Sequence, residues 1–553
     1  MAFNGVVMPS FVKNFAPGLL VLLALFGYLV ALDYKCDEVP PGLNNDVAEE
    51  GVRGIQLFEA GKVEVINTHG VNRAGVPFGH SMETLYLYLV GFASCFVGSS
   101  PMAVHITTWF FVLGSVVLLC LLVQRIGPSV PAAVPLLLAM SSVWLFHYGR
   151  SGLRAVTAPL FLLAFALALD SVERRPDDRL HAVLCGAVLG ASLYGYTSAR
   201  ILPLAFLLYA VVTLFGREPA ALRRERLRAW GLVGAGAFVV SIPNLVACLR
   251  HGKEFLARGA YVLPAHLNDA AWNFIGSLLL PLHYPEYAKA VAADHHFDGV
   301  SFGLTVAGLN PVHPLVGIAV LFGIAAAWRR RTETLPRLLL CLWGTSLLVL
   351  GIAGPSLTRY LIVLPVFLAF ATLGIAPLVA RPWLRRATVA ALLLLTVSEG
   401  RAYFERLSRD PRSASEFAEA ATDIGRRARE LADEDRAVLV IVAGNANVVN
   451  FLTHDDRFSV WISEFWHRAP DTREIPLQRA EPQVILVERQ PGFAALGNLF
   501  ATFARRERHP LFDEFVVDPA WDWMTQSFKE GPAAPFVRSD RNTAAGTTTR
   551  SIL

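Results

Sequence analysis

Asp46 stands in the run Pro40-Pro41-Gly42-Leu43-Asn44-Asn45-Asp46-Val47-Ala48-Glu49-Glu50-Gly51. The run opens as a proline–glycine turn and closes as the first turn of a helix. A carboxylate held there by backbone could take a proton from a nucleophile as a new bond forms. The competing reading is that Asp46 caps the helix. Glu49 and Glu50 are weaker candidates, because an acid in a first turn is ordinary dipole complementarity. Arg150, Arg154, Arg200 and Arg359 each sit beside an apolar run. Arginine keeps its charge and grips phosphate oxygens through two parallel hydrogen bonds, so several together could cradle a phosphate and stabilise it as a leaving group. Snorkelling to an interface is the alternative for each alone. His80 and Glu83, in Gly79-His80-Ser81-Met82-Glu83, could touch a substrate or simply begin a helix. Tyr194 and Tyr196 could stack on a sugar, and an interfacial aromatic belt explains them equally well. His295, His296 and Asp298 form a small cluster where metal binding is conceivable, although adjacent histidines rarely chelate one ion without a third fixed ligand. No metal site or other cofactor is implied; a divalent ion is conceivable but unsupported.

The composition dictates what must hold these groups. The chain has 553 residues, 54% of them hydrophobic and 17% charged, with a mean hydropathy of +0.45. Repeated long apolar runs with so few charges mean a multi-pass, all-α membrane protein. The net charge is +4, and no Lys/Arg-rich soluble run is interleaved with aromatics, which argues against nucleic-acid binding. About eleven apolar runs could span a bilayer: 15–32, 103–123, 131–147, 155–170, 180–195, 200–216, 229–248, 312–328, 336–353, 358–379 and 387–399. The first reads as a retained signal anchor. Of six cysteines, Cys120, Cys185, Cys248 and Cys341 read as inert small hydrophobes. Cys36 and Cys95 could form a disulfide if both face an oxidising compartment.

Charge asymmetry sets the expected topology. If 82–97 does not span, the loops around 124–130, 171–179, 217–228, 329–337 and 380–386 share one side and hold sixteen arginines. The alternate short loops then hold only Arg150, Arg154, Arg200 and Arg359. The positive-inside rule makes the rich side cytoplasmic, so the N-terminus is cytoplasmic and 82–97 is interfacial or re-entrant. Two long outer loops follow, 33–101 and 249–311. In the first, Asn44 or Asn45 can cap a helix ending at Gly61. Val47, Gly51, Ile55 and Phe58 share one face of it and Asp46, Glu50 and Arg53 another, as in a helix lying on a membrane surface. The transmembrane domain is assigned to 1–400. Residues 401–530 read as a small outer α/β domain, with a charged helix in 410–436 and strands at Val438–Val442, Phe458–Ile462 and Val484–Val487. The tail 531–553 reads as disordered.

Several stretches in order carry a family resemblance: Pro40 to Asp46, Gly79-His80-Ser81-Met82-Glu83-Thr84-Leu85-Tyr86-Leu87-Tyr88, Arg150-Ser151-Gly152-Leu153-Arg154, Leu193-Tyr194-Gly195-Tyr196-Thr197-Ser198-Ala199-Arg200, and Pro311 with the run after it. Together they resemble the GT-C glycosyltransferases that use polyprenyl-phosphate sugars. The resemblance is to the family-39-like group, which includes protein mannosyltransferases and the lipid A aminoarabinose transferase. It implies a catalytic acid in the first outer loop, which maps to Asp46, and a site on the outer face of a bacterial inner membrane. The family often has Asp-Glu where this chain has Asp46-Val47. Here the second outer loop reads Arg150 to Arg154 with no acid, which suits lipid phosphate. The implied partners are a polyprenyl-phosphate sugar, membrane lipids and an acceptor that the residues do not name. The implied reaction is a single inverting displacement with Asp46 as base. The rival reading is a transporter or flippase of lipid-linked sugars that does no chemistry. It accounts for the spans and arginines, and less well for the long first loop with its carboxylate.

Overall fold

The computed structural model describes residues 10–61, 63–67, 82–216, 219–252, 267–280, 309–351, 356–409, 417–454, 459–465, 475, 477–519, 521–522 and 527–528. Its principal helices, in chain order, are α1 (Ser10–Asp33), α2 (Asn45–Glu59), α3 (Thr84–Val97), α4 (Pro101–Ile126), α5 (Ala133–Met140), α6 (Val143–Ser151), α7 (Thr157–Arg174), α8 (Arg179–Ala191) and α9 (Ile201–Leu214). They continue as α10 (Ala220–Arg250), α11 (Leu267–Leu279), α12 (Pro314–Arg329), α13 (Thr334–Val349), α14 (Leu364–Val379), α15 (Pro382–Leu407), α16 (Glu419–Asp433), α17 (Ala446–Leu452) and α18 (Ala494–Phe500). Where the sequence suggests one boundary near 400, the packing divides the chain differently. One unit is Met1–Cys36 with Thr108–Arg409, and the other is Asp37–Thr107 with Asp410–Leu553. The first long loop therefore folds with the C-terminal region.

The first unit is helical. Among the described residues, six helical segments are long and apolar enough to cross a membrane: Pro101–Ile126, Arg154–Arg174, Thr197–Leu214, Ala220–Arg250, Leu357–Val379 and Pro382–Leu407. Shorter apolar helices accompany these six among the described residues, and the expected count of about eleven is not confirmed by them. The run 131–147 is not one span: Ser141 closes α5 and Ser142 caps α6, its hydroxyl accepting from Leu145 N at 3.3 Å. Large apolar side chains face outward, among them Phe110, Phe215, Leu249 and Phe322, as expected where the surrounding solvent is lipid. Its arginine-rich end is tied by ion pairs between helices. Asp170 on α7 accepts from Arg125 and Arg174, both at 2.9 Å, and Glu173 pairs with Arg226 Nε at 2.9 Å and accepts from Trp230 Nε1 at 2.8 Å.

The second unit joins the helices of the first loop to an α/β sheet. Strands β1 (Ile66–Asn67) and β2 (Met82–Glu83) pair antiparallel just before α3. The main sheet contains β3 (Val438–Val442), β4 (Val460–Glu464), β5 (Val484–Glu488), β6 (Ala504–Arg508) and β7 (Phe512–Val517), in the order β4-β3-β5-β7-β6. β3 is parallel to β4 and β5, whereas β7 is antiparallel to β5 and β6. Leu439, Ile441, Ile485, Val487, Phe500 and Phe515 form the core on one side. At 14 residues, α3 is about 21 Å long, shorter than a ~30 Å hydrocarbon core. Its buried side packs on α2, while Phe92 and Phe96 stay exposed.

The first-loop helix is not the surface amphipath that its periodicity suggests. Residues Val47 to Ile55 are all buried. Gly54 on α2 meets Gly91 on α3 with no room for side chains: a Cβ on Gly54 would lie 2.6 Å from Leu87 O. On another side, Gly51 abuts the ring of Phe451 on α17. The polar residues of α2 are enclosed too, with Glu49, Glu50 and Arg53 buried and Arg53 Nη2 2.6 Å from Glu49 Oε1. Glu49 and Arg53, four residues apart, thus form an enclosed ion pair, in which each charge offsets part of the other's burial cost. Among the described residues there is no disulfide, so the suggested Cys36–Cys95 bridge is not formed.

Candidate functional site

Within the second unit, Asp46 lies on the opening turn of α2. The helix is capped by Asn44, whose side chain accepts from Asp46 N at 2.8 Å. The N-cap duty therefore falls to Asn44 and not to the Asp46 carboxylate, which is half-buried. The loop before it is held to α16, because Leu43 N donates to Thr422 Oγ1 at 2.9 Å. These contacts fix the backbone on both sides of the carboxylate.

Glu83 is buried at the end of β2 and is the N-cap position of α3, without a side-chain capping bond. The start of α3 is fixed instead by Thr84, whose hydroxyl donates to Glu64 O at 2.6 Å. Tyr88 OH accepts from Glu64 N, also at 2.6 Å. His80 lies outside the described residues, as do His295, His296 and Asp298. Among the described residues no group of three or more His, Cys, Asp or Glu is placed to hold a metal ion.

Within the first unit the four arginines divide. Arg150 is buried, and its guanidinium donates to Ala31 O, Leu32 O and Lys35 O at 3.0, 2.7 and 2.9 Å. Those carbonyls belong to the C-terminal end of α1, where a cation completes the open backbone acceptors. Phe146 and Phe404 face the guanidinium at 5.6 and 4.9 Å. Arg150 is thus engaged with the backbone at the end of α1.

Arg154, Arg200 and Arg359 occupy equivalent places. Each lies in a short turn leading into a long helix: Arg154–Val156 into α7, Thr197–Arg200 into α9, and Leu357–Tyr360 with Leu361–Val363 into α14. The turns are neighbours, with Leu357–Tyr360 packed on Thr197–Arg200 and Leu361–Val363 on Arg154–Val156. Arg154 is buried, whereas Arg200 and Arg359 are half-buried. Thr157 connects two of the turns by donating to Arg154 O at 2.9 Å and accepting from Tyr196 N at 2.9 Å. That bridge places the Tyr196 ring 5.6 Å from the Arg154 guanidinium. Gly195 is required there, since a Cβ would lie 2.9 Å from the Phe161 ring. The turn carrying Arg359 is held by Trp144 Nε1, which donates to Leu357 O at 3.2 Å, and by Tyr148 OH, 2.7 Å from Thr358 Oγ1. Tyr194 is anchored differently, its hydroxyl donating to Val240 O at 2.7 Å.

Sequence reading missed the supporting residues Trp144, Tyr148 and Thr157. Their chain separations from their partners run up to 213 residues, and no local pattern marks such contacts. Three helix starts brought together, each with an arginine, make an anion-favouring end to the bundle.

The fold these elements define is a multi-pass membrane architecture shared with solved structures of ArnT and of an archaeal oligosaccharyltransferase. The likeness extends over nearly the whole chain. The crystal structure of ArnT from Cupriavidus metallidurans bound to undecaprenyl phosphate superposes with a TM-score of 0.56 at 11% identity, covering 93% of this chain and 99% of that one. ArnT in the apo state gives the same TM-score and identity over 90% and 98%. The Archaeoglobus fulgidus oligosaccharyltransferase in complex with zinc and sulfate gives 0.50 at 11%, over 87% and 69%. No family model and no curated protein matches the sequence.

Proposed function

We propose that this chain is a membrane glycosyltransferase that moves a sugar from a polyprenyl-phosphate donor to an acceptor on the outer face of the membrane. The observation that carries the reading is the fold-wide likeness to ArnT, whose structure holds undecaprenyl phosphate. In this reading the acceptor oxygen or nitrogen attacks C1 of the sugar. The bond from C1 to the phosphate oxygen breaks, and polyprenyl phosphate leaves with the electron pair. Asp46 receives the acceptor proton. Arg154, Arg200 and Arg359 hold the phosphate and spread its growing charge, which lowers the barrier to its departure. Tyr196, beside Arg154, offers an aromatic face to the sugar, and His80 and Glu83 are kept as further substrate contacts. With one base and no covalent intermediate, the anomeric centre inverts. The topology that goes with this reading puts the N-terminus in the cytoplasm and the sheet domain outside.

The test is kinetic. A positioned general base contributes roughly 100- to 10,000-fold, so Asp46→Asn in the purified full chain should lower kcat by about that factor with little change in KM for the lipid-linked sugar. Normal transfer by Asp46→Asn would remove Asp46 from the chemistry.

A further inference from the structure

A groove of about 490 Å³ opens on the first unit between α12 and α13. Its walls are apolar, formed chiefly by Leu321, Trp328, Leu340 and Trp343. Trp343 is braced edge-on against Phe370, 6.3 Å between ring centroids. Trp328 is held from the other side by Arg331, whose guanidinium lies 5.3 Å from the ring and whose Nη1 donates to Trp328 O at 3.1 Å. Trp343 is thus a braced wall, and Trp328 stands largely exposed at the rim. Gly344 lies along the groove, and a Cβ built there would find nothing within 4 Å. At one end of the groove stands Arg329, exposed, at the last turn of α12 and beside the arginine-rich connection to α13.

We propose that this groove binds one anionic glycerophospholipid of the surrounding bilayer, an acyl chain along the Trp328–Trp343 walls and the phosphate on Arg329. Charge complementarity selects the occupant. The apolar length suits a hydrocarbon chain, and the single strongly hydrophilic lining group is a cation at the end where a headgroup would sit. A zwitterionic lipid would bring its own ammonium against that arginine and its neighbours. The site is separate from Arg154, Arg200 and Arg359, and the inference does not depend on the transferase reading.

The full chain in mild detergent would be mixed with phosphatidylglycerol, phosphatidylcholine or a polyprenyl phosphate, and retained lipid counted by native mass spectrometry. One arginine at an anionic surface contributes about 1 kcal/mol, so phosphatidylglycerol should be retained about fivefold over phosphatidylcholine, and Arg329→Gln should erase that preference. Gly344→Leu should fill the groove and remove retention of both phospholipids, while the lipid-free protein unfolds at the wild-type temperature. Arg329→Gln changes an exposed position and keeps the test decisive should Gly344→Leu fail to fold. Equal retention of the two phospholipids by the wild type, displacement of phosphatidylglycerol by equimolar polyprenyl phosphate, or an unchanged preference in Arg329→Gln would overturn the proposal.

Discussion

Asp46 and Arg53 are both charged members of one short helix, and their surroundings give them different work. Asp46 occupies a half-buried first turn capped by a neighbour, whereas Arg53 is enclosed against Glu49. Breaking a buried pair leaves an uncompensated charge, at a cost of about 3–5 kcal/mol. Arg53→Met should therefore reduce folded yield and thermal stability by that amount, and Glu49→Gln combined with Arg53→Met should recover part of the loss. A stability unchanged by Arg53→Met alone would show that the pair is inessential. Arg154→Gln belongs to the same scale with a different readout. It should raise KM for the lipid-linked sugar at least as much as it lowers kcat, because the guanidinium is assigned to binding the phosphate before reaction as well as during it. Unchanged kinetics with Arg154→Gln would exclude that role.

At the scale of elements, the strand β7 places two acids among arginines. Burial alone would raise the Glu514 carboxyl, but hydrogen bonds from Arg427 at 2.9 and 3.1 Å, with His509 at 3.3 Å, hold it below its usual range. Burial acts likewise on Asp513, and Arg506 and Arg489 outweigh it in the same way. A depressed folded pKa stabilises the fold above the ordinary carboxylate range, and that stability is lost as pH falls through the folded value. Protection of the β7 amides from hydrogen exchange, corrected for the intrinsic pH dependence, should thus fall below about pH 4, and Glu514→Gln should flatten the acid response. Corrected protection that stays constant down to about pH 2 would contradict this. A further prediction concerns the contact between α2 and α3: Gly91→Val should separate them and lower the melting temperature, whereas Phe96→Ser on the exposed side of α3 should leave the soluble-state packing intact.

What the sequence discloses also divides by element. The helical membrane class, the strands β3 to β5, the short α3 and an Asn cap before α2 follow from composition and local pattern. The burial of α2 does not, because its neighbours Phe451 and Thr422 lie hundreds of residues away. Nor is the attachment of Arg150 to the carbonyls of α1 legible locally, since those acceptors lie 119 and 118 residues away. β6 and β7 escape notice because Ala504-Arg505-Arg506-Glu507-Arg508 is a charged edge strand, which lacks the alternation that marks a half-buried one.

On the scale of the molecule, two units with different chemistry are threaded twice through one chain. Asp46 belongs to the unit with the sheet, and the three helix-start arginines belong to the helical one. The proposed orientation can be checked by single cysteines in a background free of the native six. Cysteines replacing Arg505, in the exposed strand β6, and Arg331, in the arginine-rich connection, should label from opposite sides of intact membrane vesicles; labelling from the same side would refute the orientation.

The most direct measurement uses the wild-type chain in proteoliposomes with a synthetic polyprenyl-phosphate sugar and a pool of candidate acceptors, following free polyprenyl phosphate by mass spectrometry. The account predicts that free polyprenyl phosphate accumulates in step with one glycosylated product, and that both disappear with Asp46→Asn. Sugar that crosses the bilayer still joined to its lipid, with no free polyprenyl phosphate formed, would contradict it and identify a flippase instead.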